Sequence, residues 1–127
     1  MKKFILAALA ALSLTGCTKD NATDKGFVSI SAQEAKDLMD TQENYIILDV
    51  REQYEYDEGH IPGAMLIPLG SVEAEAEKQL TDKAQLILVY CRSGRRSKEA
   101  AQKLANLGYT NIKEFGGIID WPYDIEK

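Results

Sequence analysis

The sequence predicts an α/β fold laid on a mainly parallel sheet, and three observations carry that prediction. Strand-like segments alternate with helical ones along most of the chain. Two strand-like segments, Tyr45–Val50 and Leu86–Cys91, are near-continuous apolar runs, the pattern of strands buried on both faces. The second run passes through a glycine-containing loop straight into an amphipathic helix. Residues Ala100, Ala101, Leu104 and Leu107 fall on one face of that helix, and Gly108 is its stop signal.

Taken in order, the elements are as follows. Phe27 to Ile30 reads as a first strand. Ser31-Ala-Gln-Glu34 matches a capping box, in which the serine and glutamate each satisfy a free backbone N–H. Ala35, Leu38 and Met39 then give a short helix its apolar stripe, to about Asp40. After the Tyr45–Val50 strand, residues 51–59 read as a charged, tyrosine-bearing connection, and His60-Ile-Pro-Gly-Ala64 as a turn. Met65 to Leu69 is expected as a short strand and Ser71 to Leu80 as a helix, with Val72, Ala76, Gln79 and Leu80 facing the core. Asn111 to Phe115 is expected as the last strand, broken by Gly116-Gly117. Ile118 to Trp121 then begins a short terminal segment that Pro122 interrupts.

The first sixteen residues are of another kind. Lys2-Lys3 followed by the apolar Phe4 to Leu14 has the form of a secretory signal, too short to span as a membrane helix. Its ending, Leu14-Thr-Gly-Cys17, resembles the lipobox of bacterial lipoprotein precursors. That resemblance implies a lipid on Cys17, removal of residues 1–16, and an anchored, extracytoplasmic protein on the periplasmic or cell-surface side. Cys17 to Gly26 is polar and reads as a flexible tether, leaving 27–127 as one domain. Loss of the signal removes Lys2 and Lys3 and no acidic residue, so the net charge of −5 deepens to −7. An acidic chain of this kind makes a poor nucleic-acid partner. With Cys17 lipidated, Cys91 is the only remaining thiol, so no intramolecular disulfide is expected. His60 is the sole histidine, and no metal site or cofactor is expected. A monomer is expected.

The chemistry gathers at Cys91. Three of the chain's four arginines, Arg92, Arg95 and Arg96, lie within five residues of it. A loop between a buried strand and a helix aims backbone N–H groups inward at the positive end of the helix dipole. Together these features favour a thiolate and attract small anions. Lowering a thiol pKa from about 8.5 to about 6.5 raises the thiolate fraction at neutral pH from a few per cent to roughly three quarters. Acyl transfer by cysteine needs an acid for its leaving group, whereas transfer of a sulfane sulfur releases sulfite as an anion and needs only the thiolate. Asp49 with Arg51 reads as a pair bracing a strand end, His60 as a hydrogen-bonded turn residue, and Trp121 as a core lid. Tyr54 and Tyr56 are candidates for the mouth of the site.

Four separated blocks resemble the rhodanese domains in their single-domain form. They are Ile47-Leu-Asp-Val-Arg51 with Glu55-Tyr56, Gly59-His-Ile-Pro-Gly-Ala64, the loop Cys91 to Ser97, and Gly116-Gly-Ile118 with Trp121. The resemblance implies a three-layer α/β/α rhodanese-like sandwich around a mainly parallel sheet of about five strands. It further implies transfer of sulfur through a persulfide on Cys91, from thiosulfate or a similar small anionic donor to a thiol, cyanide or protein-thiol acceptor. Arg92, Ser93, Gly94, Arg95 and Arg96 are then the substrate-binding loop. Four residues separate Cys91 from Arg96, a C-x4-R spacing that resembles sulfurtransferases. The phosphatases and arsenate reductases of related fold have one residue more. Such an enzyme, or a non-catalytic module with a sensing or binding thiol, is the alternative reading.

Overall fold

The computed structural model describes residues 26–127. The expected signal, the lipid site at Cys17 and nearly all of the tether lie outside the described residues. Five strands form one parallel sheet: β1 (Val28–Ser29), β2 (Tyr45–Asp49), β3 (Met65–Leu66), β4 (Leu86–Cys91) and β5 (Ile112–Gly117). Their spatial order is β1-β5-β4-β2-β3, which puts β4 at the centre. Among the described residues, four α-helices accompany the sheet: α1 (Ala32–Thr41), α2 (Gln53–Glu58), α3 (Val72–Gln79) and α4 (Arg95–Asn106).

Alternation along the central strands builds two cores, one on each side of the sheet. On one side Leu48, Val50, Ile87, Val89 and Cys91 pack with Val72, Ala76 and Leu80, and with Ala100, Ala101 and Leu104 of α4. On the other, Ile47, Leu88, Tyr90 and Phe115 pack with Ala35 of α1, Ile61 and Trp121. This is the three-layer sandwich that the sequence leads one to expect. The capping box at Ser31 and Glu34 is formed, with bonds of 3.0 and 2.9 Å, and Trp121 is buried as a lid on the second core.

Several boundaries differ from expectation. Residues 51–59 are not merely a connection, because Gln53–Glu58 forms α2. Its charged, apolar-poor sequence hides a helix whose start is fixed by reciprocal bonds between Glu52 and Glu55. Gln79 is exposed, since only Val72, Ala76 and Leu80 hold the helical spacing toward the sheet. The third strand stops at Leu66, and Leu69–Ser71 is a 3₁₀ turn leading into α3. The final strand does not break at Gly116-Gly117: it runs through to Gly117, which pairs with Cys91 across a register shift. A short 3₁₀ turn, Ile118–Asp120, follows. No helix among the described residues is long and apolar enough to cross a membrane.

Candidate active site

Cys91 ends the central strand, at the carboxyl edge of a parallel sheet, where open α/β sheets present their sites. The chain turns at Gly94, whose φ of 113° is the left-handed conformation that glycine adopts without strain, and α4 begins at the next residue. That turn points the Gly94 N–H at the Cys91 Sγ, 3.0 Å away. Gly117 closes the loop from behind. A Cβ there would lie 1.9 Å from the Arg92 carbonyl oxygen and 2.5 Å from Ser93 Cα, so only glycine lets β5 approach so closely. Ile119 N–H also donates to the Arg92 carbonyl, at 3.2 Å.

The Cys91 side chain is buried, and burial pushes its thiol pKa up. Opposing groups win, and the thiol lies below its ordinary value. They are first the Ser97 hydroxyl, then the backbone N–H groups of Ser97, Gly94 and Ser93. Backbone and hydroxyl donors, rather than the arginine cluster, therefore take the leading part in favouring the thiolate. Ser97, in the first turn of α4, was legible only as the end of the loop motif. A hydroxyl one residue beyond the C-x4-R arginine is the signal that marks it.

The three arginines do different things. Arg96 is committed to Glu55 of α2 by a two-pronged ion pair, and this partner and the nearby Cys91 raise its own pKa. Arg95 is 77 % exposed and lies 3.6 Å from Glu99. Arg92 is exposed, and among the described residues its side chain has neither a hydrogen-bond nor an ion-pair partner. It lines a depression of about 440 Å³ with Arg51, Tyr54, Glu55, Ile118 and Ile125 among its walls. Tyr54 thus stands at the rim beside the loop. Tyr56 does not: it stacks on the His60 ring at 3.8 Å and donates to the Ala64 carbonyl at 2.6 Å.

Two further groups stand as braces. Asp49 is fully buried and accepts from the Arg51 Nε, Nη2 and backbone N–H and from the Tyr90 hydroxyl, all within 3.1 Å. Arg51 reaches on to the Gly59 carbonyl, so the pair ties the end of β2 to the end of α2. His60 Nδ1 lies 2.9 Å from the Tyr56 carbonyl, and Nε2 lies 3.4 Å from Glu126. Its polar contacts are those of a turn residue.

A family profile described as the Rhodanese-like domain matches residues 31–122. The chain belongs to the rhodanese family. A second profile, the prokaryotic membrane lipoprotein lipid attachment site, matches residues 1–18. Among rhodanese relatives, the putative sulfur carrier protein YrkF of Bacillus subtilis is 41% identical over 93 residues, 72% of this chain and 49% of that protein. The chain thus spans about half the length of YrkF. The thiosulfate sulfurtransferase PspE of Escherichia coli is 37% identical over 73 residues, 58% of this chain and 70% of that one. Among solved structures, a rhodanese with anions from E. coli superposes with a TM-score of 0.62 at 34% identity, covering 65% of this chain and 98% of that one.

Proposed function

We propose that this rhodanese is a sulfurtransferase working through a persulfide on Cys91. The Cys91 thiolate attacks the outer sulfur of thiosulfate. A new Sγ–S bond forms, the sulfur–sulfur bond of thiosulfate breaks, and sulfite leaves with the bonding pair. The persulfide then gives its outer sulfur to a thiophilic acceptor, cyanide or a thiol that arrives as its thiolate, and the Cys91 thiolate returns. No proton is transferred in either step, which suits a chain whose only histidine is a turn residue held by Tyr56 and Glu126.

The observation that carries the reading is the Gly94 N–H aimed at a buried Sγ whose thiol pKa is depressed. The names of relatives such as PspE agree with it. The C-x4-R spacing favours sulfur over phosphate, because a tight loop leaves room for a single sulfur above the thiolate. Arg92, Ser93, Gly94, Arg95 and Arg96 form the donor loop in this reading, with Arg92 the guanidinium free to meet the anion. Residues 1–16 are the cleaved signal, Cys17 carries lipid, residues 17–26 are the tether, and residues 27–127 work outside the cytoplasm at the membrane surface.

The test is the mass of the protein after thiosulfate treatment. One added sulfur in the wild type and none in Cys91→Ser is expected. Hydrolysis of an aryl phosphate with no sulfur uptake would instead favour the phosphatase branch of the fold.

A further inference from the structure

The depression beside Arg92 is larger and more apolar than a small anionic donor needs. Among the described residues, the large apolar side chains left exposed are Val28, Tyr54, Ile119, Tyr123 and Ile125. Three of them, Tyr54, Ile119 and Ile125, line this one depression of about 440 Å³, with Ile118 beside them. They come from three separate stretches: α2, the 3₁₀ turn after β5, and the terminal segment. Exposed apolar side chains gathered at one place and rimmed by charges mark a surface that another molecule covers. Thiosulfate and cyanide are small anions and bring nothing apolar to cover it.

The terminal wall is pinned in place. His60 and Glu126 exchange both backbone hydrogen bonds, each at 2.8 Å, as a single antiparallel bridge. Glu126 Oε1 accepts from the Gly63 N–H at 3.3 Å and lies 3.4 Å from His60 Nε2. Trp121 Nε1 donates to the Asp124 carbonyl at 3.0 Å. Ile125 is thereby laid over the backbone of Gly59, where a Cβ would come within 3.2 Å of its Cδ1. The Ile125 N–H has no hydrogen-bond partner among the described residues. Charge adds a second constraint. Arg51 is paired with Asp49, so Arg92 is the unpartnered cation of the lining. The Cys91 residue itself is recessed, at 1% exposure. An acceptor must therefore bring a thiolate in beside Arg92 while the groups around that thiolate lie on the apolar rim. A projecting stretch of polypeptide does both, whereas a small ligand is held by a pocket that encloses it.

We propose that Ile125, with Ile119 and Tyr54, determines specificity for the sulfur acceptor, and that this acceptor is a polypeptide cysteine flanked by apolar residues. Its thiolate stands beside Arg92 and its neighbours lie on the rim. The inference rests on the proposed sulfur transfer through Cys91. The acceptor thiolate attacks the outer sulfur of the Cys91 persulfide. A sulfur–sulfur bond forms to the acceptor, the Sγ–S bond breaks, and its electron pair returns to Cys91 as the thiolate. The acceptor leaves as a persulfide. Donor and acceptor meet Arg92 in turn, and only the acceptor uses the apolar walls.

The experiment uses the full chain with Cys17→Ser, so that Cys91 is the sole thiol. The protein is loaded with sulfur from thiosulfate and freed of excess donor, and loss of the added mass is timed with each acceptor below saturation. The acceptors are the blocked tripeptides Leu-Cys-Leu and Gly-Cys-Gly. Wild type should prefer the leucine peptide by about tenfold or more. In Ile125→Ser that ratio should fall about fivefold, the worth of half-burying one side chain of this size. Ile119→Ser should do the same from the turn after β5, and it decides the matter if Ile125→Ser does not load. Val28→Ser, a comparable change on the edge strand β1, should leave the ratio at the wild-type value. A wild-type ratio near one, an unchanged ratio in the loaded wall variants, or an equal fall in Val28→Ser overturns the proposal. So does a preference for 2-phenylethanethiol over 2-mercaptoethanol as large as that between the peptides, which would give the rim to a free thiol. Absence of loaded sulfur in the wild type is seen before any acceptor is added, and it counts against the sulfur-transfer reading itself.

Discussion

Arg96 closes the Cys91 loop against α2 by a two-pronged bond to Glu55, Nη1 to Oε1 at 2.8 Å and Nη2 to Oε2 at 3.0 Å. The carboxylate also accepts from the Glu52 N–H, and these contacts hold the Glu55 pKa at about 2, against an ordinary 4.5. Because the folded value is depressed, the stabilisation is complete above the ordinary value and is lost as pH falls toward about 2. Wild type should lose roughly 2–3 kcal/mol through this one group across that window. Urea unfolding at a series of acid pH values should show a flatter slope for Glu55→Gln. An identical slope would mean that the ion pair does not couple to folding.

The arginines should separate by their partners. Arg92→Ala, removing the guanidinium without a partner, should lower the specificity constant for thiosulfate by about ten- to a hundredfold and weaken its salt dependence. Arg95→Ala, removing an exposed partner of Glu99, should have little effect. Steady-state kinetics at low and high salt decides this. Equal losses in the two variants would point to a general positive field rather than to one residue.

Gly117→Ala should damage the loop rather than the sheet. Its Cβ would collide with backbone, the Arg92 carbonyl group and Ser93 Cα, so no side chain can swing aside to relieve it. A loss of about 1–3 kcal/mol is expected, with the Cys91 pKa rising as Gly94 N–H moves off the sulfur. Gly63→Ala is a control for the backbone conformation alone, since its φ is 84° and a Cβ there meets nothing within 4 Å.

Asp49 should behave as a brace. Asp49→Ala leaves the Arg51 guanidinium buried without its carboxylate, at a cost of about 3–5 kcal/mol. Tyr90→Phe should cost less, about 1–2 kcal/mol, by removing the neutral donor to Asp49 Oδ2. Among molecules that remain folded, thiosulfate KM should be unchanged. A raised KM in folded Asp49→Ala would give the pair a direct part in donor binding.

Cys17→Ser should release the protein from membranes while sulfur uptake by Cys91 persists. Retention of the serine variant in membrane fractions at the wild-type level would remove the lipid-anchor reading of the N-terminal match.

The pattern of residues was sufficient for an α/β fold on a mainly parallel sheet and for the reactive loop, while the three layers came from the resemblance to rhodanese domains. Leu86–Cys91 read as a buried strand from its short run of β-formers, and the apolar face beginning at Ala100 as a helix from its spacing, because both signals are local in the chain. Cys91, the glycine turn and the arginine spacing were legible for the same reason, being contiguous in the chain. Tertiary structure alone decided how those residues are employed. Glu55 meets Arg96 across 41 positions of sequence, and its helix was hidden in a charged stretch with few apolar residues to reveal a period. Glu114 meets Ser97 across 17 positions, and Gly117 meets the Cys91 loop only because a parallel sheet brings two strand ends side by side. The arginine cluster therefore looked like one positive patch in sequence. In the fold, Glu55 takes Arg96, Glu99 lies near the exposed Arg95, and backbone N–H groups with one serine hydroxyl lead in lowering the thiol pKa. Which charges find partners is a property of distances in space, and only the fold sets those.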